Sequence, residues 1–380
     1  MPLHDVGYRR WKGQERGYAM RWFAITNKGF EIALRSQIVR RMMFLAWLPA
    51  LYFGAGIFFF ESYVERSVVA QLRDVSEDVK KAATQVMEAN PEKFPQGLRD
   101  AIPFVEAEFQ EQTRRQLRRS QIGQFLRMLG EDGSEKVFDS MLQDDDRVRR
   151  RTVWSFLLLK FLRGPQGFAL ILLIGWVAAP LIAKDLRTKA FLLYFSRPLT
   201  KANYILGKLM ILVILSMVIT TLPAFILYFV GIGLSPNLNA LEQTWDLPVR
   251  LVVVSLLHIV PASLLALMFS SLTTDSRFAH FSWYATWILG YATWGLISTV
   301  INTNFGNPDG PPQLMRHIPL SEGGAWAYVS IYHTINMAQG WAMGTTDHPM
   351  ESFWAFCILG LMSAVCLLVT WYRVSKAVLL

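Results

Sequence analysis

Apolar residues along this chain gather into six long runs, at roughly 43–60, 166–183, 209–234, 251–272, 281–301 and 353–372. A helix needs about 20 apolar residues to cross the ~30 Å hydrocarbon core of a bilayer. Lipid offers no partners for backbone N–H and C=O groups, so each run predicts a membrane-spanning helix rather than a strand or loop. Trp154, Trp245, Trp354 and Trp371 sit at or near the ends of these runs, where amphipathic rings favour the headgroup layer. The pattern predicts an all-α, polytopic membrane protein with six transmembrane helices, the first at 43–60 and the other five within 153–380.

The segments between the runs carry patterns of their own. In the N-terminal segment 1–42, the stretch from Lys28 to Arg41 places Phe30, Ile32, Leu34, Ile38 and Val39 among charged residues. That spacing predicts an interfacial helix on the membrane surface ahead of the first span. Residues 61–152 predict an extracytoplasmic helical insertion between spans one and two. Val68, Val75, Val79, Ala82 and Val86 form a narrow seam, Asn90 to Pro95 a turn, 103–129 a second helix, and Val137 onward a third. Trp154 to Leu162 followed by Gly164-Pro165 predicts an interfacial elbow. The loop 302–352 opens with breakers and continues into an apolar stretch, Ala325 to Met343, that predicts a re-entrant pair of short helices.

Charge orients the chain. Only 18% of residues are charged and 52% are hydrophobic. With the N-terminus inside, the short inside segments hold 18 Lys and Arg against Arg250 and Arg316 in the short outside loops. The positive-inside rule therefore predicts cytoplasmic N- and C-termini. The formal charge of +9 belongs to a membrane surface, and no basic patch on a soluble fold points to nucleic acid. Cys357 and Cys366 lie too far apart on one helix to bond, and 61–152 has neither Cys nor His, which argues against a metal site there.

The chemistry that is absent narrows the function. No Asp or Glu lies inside a predicted span, whereas ion-coupled carriers usually need such groups. Gly207-Lys208 lacks the rest of a phosphate-binding loop, and no HExxH or GxSxG motif occurs, so the chain carries no ATPase motif or hydrolytic site. Candidate pathway residues are Thr220 and Thr221 in span three, His258 in span four, and Thr286 and Thr293 in span five. Each has a plainer reading, as a hydroxyl bonded to its own helix or an imidazole donating to a carbonyl loosened by Pro261.

One connector stands apart. The cytoplasmic loop 184–208, KDLRTKAFLLYFSRPLTKANYILGK, flanks a cluster of apolar and aromatic residues with basic ones. Asp185, Thr188, Leu192, Leu193, Ser196-Arg197-Pro198-Leu199 and Gly207-Lys208 give the chain a resemblance to the membrane subunit of type 2 ATP-binding-cassette (ABC) transporters. The resemblance covers 28–60 and 153–380. It implies that this loop is a coupling helix docking on a cytosolic ABC ATPase, through Leu193, Tyr194, Phe195 and Arg197, with Pro198 ending the helix. It also implies that Glu31 and Arg35 belong to an N-terminal connecting helix. Arg187 departs from the pattern, since many members place Gly there.

The resemblance further implies an exporter permease working as a homodimer with a second copy in a bacterial inner membrane. No cofactor binds this chain; ATP and magnesium sit on the partner ATPase. The 61–152 insertion keeps an alternative open, in which the chain is a non-transporting anchor passing ATPase motion to an extracytoplasmic protein. Membrane lipid is a partner in either case.

Overall fold

The computed structural model describes residues 20–62, 111, 115, 118–119, 124, 134–141, 146–191, 199–235, 239–305, 324–346 and 348–379. Most of the 61–152 insertion, the segment 192–198 and the breaker-rich part of the 302–352 loop lie outside them. The described residues form helices and short connections, with no strand among them. In chain order these are α1 (Arg21–Arg35), α2 (Gln37–Phe59), α3 (Ser134–Met141), α4 (Asp146–Phe161), a π-helical turn (Leu162–Gln166) and α5 (Gly167–Arg187). There follow α6 (Lys201–Ile219), α7 (Thr221–Leu234), α8 (Asn239–Gln243), α9 (Leu247–Leu272), α10 (Ser276–Phe305), a 3₁₀ turn (Gly324–Val329), α11 (Ile331–Met343) and α12 (Pro349–Leu379).

Five helical stretches are long and apolar enough to cross a membrane: Gln37–Ser62, Arg147–Arg187, Lys201–Leu234, Leu247–Leu272 and Pro349–Ala377. They coincide with five of the six apolar runs. The remaining run falls in α10, a 30-residue helix whose Ser, Thr, Tyr and His content makes it less apolar than the others. It packs tightly on α5 all the same. Trp283 Nε1 donates to the Ile171 carbonyl (2.9 Å), and Tyr284 donates to that of Leu172 (3.2 Å). Gly175 leaves room for this crossing, because a Cβ there would meet Tyr284 Cζ at 2.8 Å.

Element boundaries differ from the sequence reading in two places. The N-terminal helix begins earlier and ends at Ser36, whose extended backbone (φ −67°, ψ 123°) separates α1 from α2. Ile38 to Arg41 thus open the spanning helix instead of closing the interfacial one. Trp154 to Leu162 is no surface elbow. It runs unbroken into α5 and is buried, because Pro165 falls in a π turn whose wider spacing absorbs the missing N–H.

Burial divides into two cores along this long helix. One gathers Leu173, Ile174, Ile182, Tyr204, Leu215, Ile259, Leu267 and Trp283 near α5, α6, α9 and α10. The other gathers Phe53, Ile57, Phe138, Trp154, Phe161, Tyr228 and Leu251 around α4. Phe44, Leu51, Phe168, Phe281 and Leu361 face outward, as expected of surfaces solvated by lipid.

Candidate functional site

The loop 184–208 is closed at its base by a buried ion pair. Lys208 Nζ lies 2.8 Å from Asp185 Oδ2, with side chains only 9% and 14% exposed. The Tyr204 hydroxyl donates to the same carboxylate oxygen at 2.7 Å, and the Lys208 ammonium sits 5.4 Å from the Tyr204 ring centre. Tyr204 is fully buried and packs against Phe191 at 5.3 Å between centroids. Two residues flagged separately in the sequence, Asp185 and Lys208, are therefore brought together by a third that was not.

Local chemistry explains the two helix ends that meet here. Thr200 caps α6, its hydroxyl accepting from the Asn203 N–H at 3.2 Å. At the end of α5, Thr188 N–H bonds the Lys184 carbonyl (2.9 Å) and Ala190 N–H bonds that of Asp185 (3.0 Å). The Thr188 hydroxyl also donates to Lys184 O at 2.9 Å. The reversal places Lys189 at φ 53°, a left-handed conformation that glycine adopts more cheaply. Arg187, where the resemblance leads one to expect Gly, is the last helical residue of α5 and needs no such freedom. Leu193, Tyr194, Phe195, Ser196, Arg197 and Pro198 lie outside the described residues.

The N-terminal helix seals this junction from the side. Thr26, 1% exposed, donates to the Gly207 carbonyl at 3.1 Å and shares its proton with Trp22 O at 3.1 Å. A Cβ on Gly207 would fall 2.9 Å from Ile25 Cβ and 3.0 Å from the Trp22 carbonyl, so glycine is what permits the close crossing of α1 over α6. Glu31 and Arg35 lie on the opposite, exposed face of α1. Glu31 pairs with Lys28 (2.9 Å) and with Arg35. The Lys28 hydrogen bond, aided by the charges of Lys28 and Arg35, holds the Glu31 carboxyl below its ordinary value.

Two further contacts tie this end of the molecule together, and neither was foreseen. Ser270 of α9 accepts from the Ile182 and Ala183 N–H groups (3.0 and 3.1 Å) and donates to Ala179 O (2.7 Å). It stitches backbone beside Pro180, where α5 is missing an N–H. Arg373 of α12 donates to the Ser271 and Leu272 carbonyls, both at 3.2 Å, and so caps the end of α9.

The candidate pathway residues do not form one cluster of interacting side chains. Thr220, at the junction of α6 and α7, donates to Ser216 O at 2.8 Å, and its oxygen lies 3.5 Å from that of Thr221. Thr286 donates to Ser282 O at 2.8 Å, and Thr293 is exposed. His258 is buried between α5 and α10, its ring 6.0 Å from that of Trp287 and its Cε1 facing Gly167. Other interior polar side chains reach across helices: Gln166 to Ala46 O (2.6 Å), Gln339 to Val254 O (3.1 Å) and Arg163 to Asn336 O. They behave as glue between helices. No group of three or more metal-ligating side chains gathers among the described residues.

The far end of the bundle holds a second buried ion pair. Glu61, fully buried, accepts from Arg150 Nε at 3.1 Å and from Trp154 Nε1 at 3.0 Å, while Arg150 also reaches Gln243. This pair joins the start and the end of the 61–152 segment.

The family model for ABC-2 family transporter proteins matches residues 35–377. No curated protein and no solved structure matches the chain.

Proposed function

The chain belongs to the ABC-2 family of transporter proteins, and we propose that it is the permease of an exporter driven through its 184–208 loop by a separate cytosolic ATPase. The observation that carries this reading is the Asp185–Tyr204–Lys208 anchor. A loop that pushes on two spans must not flex at its roots. Here the last turn of α5 and the first turns of α6 are locked by a charge-assisted network and sealed by α1. Force applied to the loop then moves α1, α5 and α6 as one body.

In this reading Leu193, Tyr194, Phe195 and Arg197 meet the ATPase, Ser196 and Pro198 close the small docking helix, and ATP and magnesium bind only on the ATPase. Thr188 ends the preceding helix, and Glu31 and Arg35 present charge beside the dock. The transporter has six spans, with α10 as the fifth. Both termini are cytoplasmic, and the complex holds two copies of the permease in a bacterial inner membrane. The interiors of the six apolar runs hold no Asp or Glu for ion coupling, which supports an outside energy source.

The paired variant Phe195→Glu and Arg197→Glu tests the dock. The expected result is loss of ATPase co-purification with the permease still folded and membrane-inserted. Unchanged co-purification with full ATPase stimulation overturns the reading.

A second reading, an anchor that passes motion to an extracytoplasmic protein, is favoured by the Glu61–Arg150 pair, which joins the end of span one to the helix that leads into span two. Deleting 63–145 separates the two. Retained efflux supports transport, whereas loss of a bound partner with intact ATPase coupling supports the anchor.

A further inference from the structure

The stretch Arg147–Arg187 has a weak place in its middle. Gly164, Pro165 and the π turn coincide there, and helices kink sharply at prolines and at π turns. Gly164 is exposed, and no atom of another described element lies within 4 Å of where its Cβ would stand, so packing does not stiffen that side. We propose that Arg163 is a positioning residue for transport. Its grip on α11 keeps the long helix from bending at this turn, so that motion of the Arg187 end reaches the Arg147 end. The inference rests on the 184–208 loop being where the ATPase delivers that motion.

Arg163 is held through both its side chain and its backbone. Its Nη2 donates to the Asn336 carbonyl of α11, and the Tyr332 hydroxyl donates back to the Arg163 carbonyl at 3.4 Å. The helical partner of the Asn336 carbonyl is the Gly340 N–H, so a second donor must approach over residue 340. Glycine leaves that approach open. A Cβ on Gly340 would stand 2.6 Å from Arg163 Nη2 and 2.9 Å from Thr346 Cγ2. At the end of the turn, Gln166 Nε2 donates to the Ala46 carbonyl of α2 at 2.6 Å. Two neighbouring helices thus grip the turn, much as Ser270 stitches the backbone beside Pro180.

Other bonds fix α11 in its turn. Gln339 Nε2 donates to Val254 O of α9 at 3.1 Å, and Arg250 Nη1, also of α9, donates to Ala342 O at 2.9 Å. His333 is buried and stacks on Trp294 of α10, with ring centroids 3.7 Å apart. The Arg163 bond is charge-assisted, so it is stronger than the neutral bonds beside it.

The test uses the full chain with its ATPase in nanodiscs, carrying spin-label pairs read by double electron–electron resonance. One pair joins the native, exposed Cys357 of α12 to Val148→Cys, near the Arg147 end. The other joins Cys357 to Arg187→Cys. Labelled copies are diluted with Cys357→Ser copies, and distances are compared before and after trapping with ATP and vanadate. With Arg163 and Gly340 intact, both distances are expected to change. Arg163→Gln and Gly340→Ala should each keep the change at Arg187 and cut that at Val148 by about half. Gly340→Ala keeps the arginine and puts the better helix former into α11, so its effect is not loss of the helix. A merely structural bond would lower the melting temperature and leave the two ends moving together. Undiminished motion at Val148 in the Gly340→Ala chain therefore overturns the proposal. An Arg187 end that stays still in the unsubstituted chain overturns the reading of the loop instead, and the inference with it.

Discussion

Lys208 and Asp185 are charges taken out of water, and their value depends on each having the other. Removing one partner of such a pair strands a buried charge, which costs roughly 3 kcal/mol. Asp185→Asn should therefore lower the melting temperature of the purified protein markedly, and Asp185→Asn with Lys208→Gln should recover much of the loss. Tyr204→Phe removes only one bond to a charged acceptor and should cost about 1.5 kcal/mol. Glu31 is the contrasting case. Its lowered pKa means its ion pairs hold at neutral pH and weaken only as the pH falls below the ordinary carboxylate value of 4.5. Because it is exposed, Glu31→Gln should leave the melting temperature unchanged at pH 7. Any loss of ATPase binding in that variant would then report contact with the partner. Both pairs show what a sequence reveals at this scale. Lys28, Glu31 and Arg35 stand three and four residues apart on one face of a helix and can be read directly. Asp185 and Lys208 are neighbours only after the chain has turned back on itself, and nothing in their spacing announces Tyr204 as the link.

At the scale of the element, the spans were legible because a run of apolar residues long enough for a bilayer has few other uses. Their ends were less so. Arg40 and Arg41 look like a flank, yet they sit inside α2, since long basic side chains can reach the interface from within a helix. Gly164-Pro165 looks like a stop, yet a π turn carries the helix through it. α10 matched its run in position, and Trp283 and Tyr284 bond the carbonyls of α5 in contacts that only packing reveals. Two substitutions probe these elements. Lys189→Gly relieves a left-handed lysine and should stabilise by about 0.5–1 kcal/mol in thermal unfolding, provided the loop root keeps its shape. Gly207→Val forces a side chain into Ile25 and should lift α1 from α6, which faster tryptic cleavage at Lys28 would reveal.

Across the whole molecule, the two buried ion pairs sit at opposite ends of one bundle and are joined by the helical stretch Arg147–Arg187. Glu61→Gln should destabilise by about 3 kcal/mol and loosen the insertion, measured as faster proteolysis within 63–145. Ser270→Ala, near the other end, should leave the fold intact but soften α5 beside Pro180, lowering transport per ATP hydrolysed more than it lowers hydrolysis itself. That long helix has a consequence in leverage. Its 41 residues make a shaft about 60 Å long, with the π turn as the natural fulcrum. Tilting the shaft by about 5° there swings the Arg187 end by about 3 Å and the Arg147 end by about 2 Å in the opposite direction. The Arg147 arm is the shorter, so a stroke delivered at the 184–208 loop arrives at the opposite end of the bundle reversed, reduced in travel and increased in force.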